Sequence, residues 1–353
     1  MLAQLHSETF RNLEPLDWSP GAGSHLLLGD NGSGKTSLLE AVYLLATSRS
    51  FRTSNLAECC REGSSRFSLS AEVNNVARTR LAIEWGARTR RRTVNGKTLT
   101  LAEHVSALPV LAWTFAESEL LTGAPSLRRR FLDRGLVVER PSALETLQSY
   151  REALQQKRRL LQQGGEEIEV WNDLLATHGA QVIALRKNYL GRLQTVFAEV
   201  LVDTESKFSG ATLAYRPSPA EGVDGAGAFL TRLRRSVSTE RLRRLPLLGP
   251  HRDDVVLTWR GHEIRGLASA GERKGLGLAV LAAQAKLLAE DGRTPLVLLD
   301  DADTELDRGA LARAWRAFRD LPQWIASTNR PEAFETLSLD HQWRLVGGRL
   351  SPA

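Results

Sequence analysis

The chain has 353 residues, 42% hydrophobic and 25% charged, which excludes disordered, collagenous and disulfide-scaffold classes and leaves room for about two domains. Forty-seven basic residues face forty-one acidic ones, a net charge of +6, and only seven of the forty-seven are lysine. The two cysteines, Cys59 and Cys60, are adjacent and cannot build a disulfide framework. With no leader-like start and no apolar run near the ~18 residues of a bilayer span, a cytoplasmic protein without a membrane partner is expected.

In chain order, the first ~115 residues read as β-rich with one helix. Leu2–Phe10 and Ser24–Leu28 are predicted strands. Phe67–Trp85 and Thr93–Leu99 alternate apolar and polar residues, with Asn95-Gly96 as a hairpin signal, and Pro109–Phe115 reads as a buried strand. From Glu117 the pattern turns helical. Pro141–Gln163 is followed by a Gly164-Gly165 break and a second seam through Trp171, Leu175, His178, Val182, Leu185 and Tyr189. Two seams joined by a glycine turn predict an antiparallel helical pair with arms of roughly 35 Å. A looser segment, 209–227, follows. Beyond Pro250 the pattern alternates: strand 254–259, helix 271–289, strand 295–300, helix 306–319, strand 324–328. The expected layout is an α/β domain from both chain ends, 1–118 with 245–353, and an inserted helical arm, 119–244.

Gly29-Asp30-Asn31-Gly32-Ser33-Gly34-Lys35-Thr36 matches GxxxxGK[ST] in full, after an apolar strand and before a helix. The glycines let backbone N–H groups turn toward a triphosphate, and the helix N-terminus adds positive potential. Lys35 is placed to bridge β- and γ-phosphates, and Thr36 to ligate Mg2+. Leu296-Val297-Leu298-Leu299-Asp300 is an apolar strand ending in a carboxylate suited to hydrated Mg2+, and Asp301 is a candidate general base. Ser269 begins a predicted helix, with Gly271 just inside it; capping alone is the simpler reading of Ser269. The expected ligands are therefore a nucleoside triphosphate and Mg2+.

Two clusters suggest a polyanionic partner. Between Arg78 and Lys97 seven basic residues meet only Glu84; between Arg232 and Arg244 six arginines meet only Glu240. Arg88, Arg90, Arg91 and Arg92 are the candidate DNA contacts. Consecutive side chains on a strand alternate faces, so phosphate contact is expected rather than base readout. His251, Asp253 and Asp254 have no second His or Cys cluster to support a metal site.

The order of phosphate loop, Ser-x-Gly-Glu segment, acidic strand and Thr304-Glu305-Leu306-Asp307 resembles ABC-type ATPase heads, including SMC heads. Finer features resemble the RecF family of bacterial recombinational-repair ATPases: Phe10-Arg11-Asn12-Leu13, Leu38-Leu39-Glu40-Ala41, Ser50-Phe51-Arg52, Gly123-Ala124-Pro125, Arg129-Arg130-Phe131-Leu132-Asp133 and Gly249-Pro250-His251-Arg252-Asp253-Asp254. That resemblance implies an α/β ABC-type P-loop head, a mixed sheet with helices, carrying an inserted helical arm. It also implies a composite site in which Ser269 and Gly271 of one subunit cap the γ-phosphate held by Lys35 of another. Asp307 then shapes the dimer contact, and Arg11 and Ser37 join Gly29–Thr36 around the nucleotide.

The implied activity is a weak, DNA-stimulated ATPase in DNA repair, replication, recombination and the SOS response. ATP drives head-to-head dimerisation on duplex DNA or single-/double-strand junctions, and slow hydrolysis drives release. Help in loading recombinase at gapped DNA and a RecR partner are implied too. Three features depart from the family pattern. Ala270 stands where glutamine is usual, Ser327-Thr328-Asn329 lacks a histidine, and no glutamine lies near Phe115–Glu119. A transporter-type ATPase subunit and an SMC-like tether are the competing readings; the long Gly34–Ser269 separation and the short arm weigh against them.

Overall fold

The computed structural model describes residues 1–74, 78–165, 167–218 and 225–353. In chain order the first elements are β1 (Leu2–Glu8), β2 (Leu16–Trp18), β3 (Gly23–Leu28), α1 (Lys35–Thr47), β4 (Arg66–Asn74), β5 (Arg78–Gly86), β6 (Thr89–Val94), α2 (Leu101–Ala107) and β7 (Val110–Trp113). Then come α3 (Pro125–Glu139), α4 (Ala143–Gln163), α5 (Ile168–Asp203), β8 (Thr212–Arg216), α6 (Ala226–Arg243), β9 (Asp254–Trp259) and β10 (His262–Glu263). The last are α7 (Ala270–Glu290), β11 (Leu296–Leu299), α8 (Arg308–Arg316), β12 (Gln323–Thr328), β13 (His341–Val346) and β14 (Arg349–Pro352). They form two units: 1–118 with 199–209 and 268–353, and 119–198 with 210–267.

The first unit contains two sheets. One has the order β14-β13-β3-β12-β11-β7, parallel except for the β13–β14 hairpin; the other, β2-β1-β4-β5-β6, is antiparallel. Leu-Val-Leu-Leu of β11 is buried on both faces, as a central parallel strand requires. Strands β4 and β5 alternate instead, because one face meets the core. Helix α1 packs against strands of both sheets, which explains why eleven of its thirteen residues are buried. Leu38, Leu39, Val42 and Leu45 join Leu5, Phe67, Leu69, Leu81, Val110, Leu298 and Ile325 in one core.

The second unit differs from a simple helical pair. Leu147, Tyr150 and Ala153 of α4, Leu175, Ala176 and Val182 of α5, and Phe229 and Leu233 of α6 form one cluster, so three helices share the seam. Gly179 admits the third: a Cβ there would lie 2.5 Å from the Phe229 ring. The arms are also unequal. Helix α4 has 21 residues, roughly 31 Å, and α5 has 36, roughly 54 Å.

Other readings change. The alternating run 67–85 is two antiparallel strands, Arg66–Asn74 and Arg78–Gly86, whose reversal at 75–77 lies outside the described residues, as does 219–224 of the looser segment. Asn95 and Gly96 take positive φ of 51° and 76°, making a tight turn that closes an isolated Val94–Lys97 bridge; β5 and β6 join at Ala87-Arg88. Strand 254–259 pairs with β8 and β10 in a three-stranded sheet, so residues up to 267 group with the helical unit rather than ending it at 244. Strand pairing across forty residues overrides the local β/α alternation.

Candidate functional site

The phosphate-loop segment leaves the C-terminal end of β3 and enters α1. Gly32 and Gly34 take φ of 80° and 114°, accessible to glycine without strain, and a Cβ on Gly29 would lie 2.4 Å from the Leu345 carbonyl. The Lys35 ammonium donates to the carbonyls of Gly29 at 2.6 Å and Asp30 at 3.0 Å. It therefore stands inside the loop. Asn12 clamps the loop from outside, donating to the Gly32 carbonyl at 2.8 Å and accepting from the Ser37 hydroxyl at 2.7 Å.

The acidic strand end lies against this loop. Thr36 Oγ1 donates to Asp300 Oδ1 at 2.9 Å, and so does Ser327 Oγ, also at 2.9 Å. Ser327 Oγ in turn accepts from the Asp301 amide at 2.9 Å, holding Asp301 at a positive φ of 44°. Burial pushes the Asp300 carboxyl above its ordinary range, opposed by the Ser327 and Thr36 hydroxyls. Asn329 Nδ2 donates to Asn31 Oδ1 at 3.1 Å, tying the segment after β12 to the loop.

A cleft of about 690 Å³ opens here, lined by Arg11, Asn31, Gly32, Lys35, Thr36 and Asp301 among others. The residues fit a nucleoside triphosphate with a hard divalent cation. Ser33 Oγ is buried without a hydrogen-bond partner among the described residues, and the Thr36 hydroxyl and Asp300 carboxylate offer oxygen ligands side by side. Arg11 reaches the cleft with its guanidinium clamped by Glu40, at 2.9 Å from Nε and 2.7 Å from the second terminal nitrogen.

Ser269, Gly271 and Asp307 are elsewhere. They line a second cleft of about 520 Å³ together with Lys207, Glu272 and Arg313. Ser269 caps α7: its hydroxyl accepts from the Glu272 amide at 3.4 Å, and the Glu272 carboxylate accepts from the Ser269 amide at 2.9 Å. Asp307 caps α8 at the Ala310 amide, 2.7 Å away. One chain thus carries both halves of the expected site, in separate clefts.

The arginine hairpin is less uniform than its sequence. Arg90 and Arg92 share a face, opposite Trp85 and Ile83, whereas Arg91 stands opposite Glu84 on the other face and Arg88 is in the turn. Ile83 is a core residue, so Arg92 lies at the core edge; its guanidinium donates to the Leu99 carbonyl at 3.0 Å, and burial lowers its pKa. Arg88, Arg90 and Arg91 are exposed. His251, Asp253 and Asp254 are internal partners of the helical unit. Asp254 forms a two-pronged pair with Arg128, Asp253 accepts from Tyr215 and the Ser218 amide, and His251 meets the Tyr150 hydroxyl at 2.7 Å.

Sequence reasoning on its own assigned no role to Asn12, Glu40, Lys274 or Ser327. A charged Glu40 within an apolar helix is a usable signal for a buried partner; Ser327 stands out in the sequence only as part of the Ser327-Thr328-Asn329 segment that lacks a histidine.

Known proteins resemble this chain along most of its length. The family model described as RecF/RecN/SMC N terminal domain matches residues 1–345. The DNA replication and repair protein RecF of Myxococcus xanthus is 35% identical over 321 residues, covering 87% of this chain and 84% of that protein. That of Symbiobacterium thermophilum is 35% identical over 322 residues, covering 87% and 85%. Among solved structures, the recombination mediator protein RecF-ATPrS in the RecFOR pathway superposes with a TM-score of 0.87 at 23% identity, covering 100% of this chain and 98% of that one. An SMC head bound to the C-winged helix domain of ScpA shares the fold at a TM-score of 0.58, 12% identity, and coverage of 100% and 96%. The fold is an ABC-type ATPase head of the RecF and SMC kind, and the chain belongs to the RecF group of the RecF/RecN/SMC N-terminal domain family.

Proposed function

We propose that this chain is an ATP-dependent DNA-binding ATPase of DNA replication and recombinational repair, working as a head-to-head dimer. The observation that carries it is the division of the site residues between two clefts of one head: Lys35, Thr36 and Asp301 line one, Ser269, Gly271 and Asp307 the other. A second copy turned by a two-fold axis brings unlike clefts together twice, so ATP becomes the shared ligand of both chains. The cap of α7 supports this. A helix start with a serine hydroxyl and free N–H groups is an anion site for a γ-phosphate from outside the chain.

In this reading Gly29–Thr36 holds the triphosphate, with Lys35 on its β- and γ-phosphates, Ser37 fixed by Asn12, and Arg11 adding a second cation. Thr36 and Asp300 hold Mg2+, which supplies charge neutralisation at the transferred phosphoryl group. Asp301 accepts the proton of the attacking water, and Ser327 holds the Asp300 carboxylate and the Asp301 backbone amide. Exposed Arg88, Arg90 and Arg91 contact duplex phosphates; RecR is the protein partner, and the place of work is the cytoplasm. Slow hydrolysis then releases the dimer from DNA, and recombinase loading at gaps is the biological output.

Light scattering after size exclusion tests the central step. With ATP and Mg2+ the mass should double from 39.0 kDa, and with ADP it should not. Lys35→Ala should remain monomeric and lose about tenfold or more in ATP affinity, having lost the only ammonium in the loop. An ATP-indifferent mass sinks the dimer reading, and parental ATP affinity in Lys35→Ala sinks the loop assignment.

A further inference from the structure

One buried cation takes no part in the roles above. Lys274 lies in the second turn of α7, five residues after Ser269, and is 4% exposed. Its ammonium donates to the Asp301 carbonyl at 3.2 Å, the Thr304 carbonyl at 2.8 Å and the Thr304 hydroxyl at 2.5 Å. An ammonium has three N–H bonds, and here all three go to a single loop, the one that leaves β11 with Asp301 at its start.

That loop is conformationally demanding. Asp301 and Glu305 both hold positive φ, 44° and 65°, a region that side-chain-bearing residues occupy only when their surroundings impose it. The start of α7 touches the same loop at a second point. A Cβ on Gly271 would lie 2.8 Å from the Glu305 carbonyl, so helix and loop are in direct backbone contact. An ammonium taken out of water must keep its acceptors close, and the acceptors are thereby kept in place by it. The helix start and residues 301–305 are therefore one packed body, pinned by Lys274.

We propose that Lys274 is a positioning residue that couples the Ser269–Gly271 segment to the Asp301 loop of the same chain. A phosphate docking on the cleft of Ser269 then sets Asp301 in the cleft of Lys35. The inference rests on the ATPase reading above. Its chemistry is mechanical: close-packed segments shift together rather than deform, so a displacement of the helix start reaches Asp301 through the ammonium. The consequence is that the two composite sites of a dimer hydrolyse cooperatively, because each chain's Asp301 answers to the nucleotide bound by its partner.

The test uses the full chain. Lys274→Met keeps the buried stem and removes the donors. ATP affinity, titrated with a fluorescent ATP analogue, should stay within about twofold of the parent, while kcat falls about tenfold and the Hill coefficient for hydrolysis drops to about 1. Amide exchange at 301–305, measured without nucleotide, should quicken about tenfold, and Lys274→Arg should restore both readouts in large part.

Should Lys274→Met fail to fold, Thr304→Val at an exposed position removes one acceptor and should give the same pattern at about threefold. Parental kcat, Hill coefficient and exchange in these variants overturn the proposal. So does an equal loss of kcat and ATP affinity that arginine does not rescue, since that marks a merely structural lysine. If the parent itself hydrolyses no ATP, the ATPase reading fails instead. The exchange measurement, made without nucleotide, then still decides whether Lys274 holds the loop.

Discussion

Glu40 is the residue on which the mouth of the phosphate cleft depends. Its side chain is fully buried in α1, yet it accepts from Arg11 twice, from the Ser50 hydroxyl at 2.5 Å and from Arg52 at 3.3 Å. A carboxylate so enclosed is stable only while its cationic partners stay, and Arg11 keeps its place in the cleft for the same reason. Glu40→Gln preserves shape but leaves Arg11 uncompensated. It should destabilise the protein by about 3 kcal/mol and weaken ATP binding about tenfold, read by urea unfolding and nucleotide titration. Unchanged stability would mean that solvent, rather than Glu40, balances Arg11. Cys59 lies 3.8 Å from the same carboxylate, and burial raises its thiol pKa to about 11, so its role is packing.

At the scale of elements, α4 and α6 are joined by a pair that neither helix announces. Lys157 Nζ lies 2.6 Å from Glu240 Oε2, both side chains fully buried, and Glu240 Oε1 accepts the Leu247 amide at 2.8 Å. The ions are close but poorly aligned as a hydrogen bond, which favours specificity over net stabilisation. Lys157→Ala should therefore cost about 3–5 kcal/mol by stranding a buried carboxylate. The double variant Lys157→Met/Glu240→Leu should recover to within about 1 kcal/mol of the parent, measured by urea unfolding followed by circular dichroism. A double variant as unstable as the single one would show the pair to be net stabilising.

Across the whole molecule, the net charge of +6 is spread unevenly, and the hairpin of β5 and β6 is where exposed arginines crowd one tip. Neutralising Arg88, Arg90 and Arg91 together should weaken DNA binding about equally for all sequences. It should also flatten the slope of log K against log salt by up to about 2.7, at 0.9 for each lost phosphate contact. Arg92→Ala, its guanidinium engaged by the Leu99 carbonyl, should leave that slope unchanged. A parental slope in the triple variant would move the DNA contact to the arginines of α6. Both outcomes are read from binding isotherms at four or five salt concentrations.

Local chemistry was legible in the sequence wherever a motif is contiguous. Gly29–Thr36 needs glycine at fixed steps, so the loop and the helix it opens followed from spacing alone, and so did the acidic strand end at Asp300. The start of α7 at Ser269 was readable because capping is a local hydrogen bond. What the tertiary structure decided are pairings between residues far apart in the chain. Strand 254–259 joined the helical unit because β8 offered it a partner, and a third helix entered the seam because Gly179 leaves room for Phe229. Ser327 between two aspartates, Glu40 beneath two arginines and Lys274 beneath one loop belong to the same class. A buried polar group is identified by its partners, and partners 12 to 30 residues away on other elements leave no periodicity for a sequence to carry.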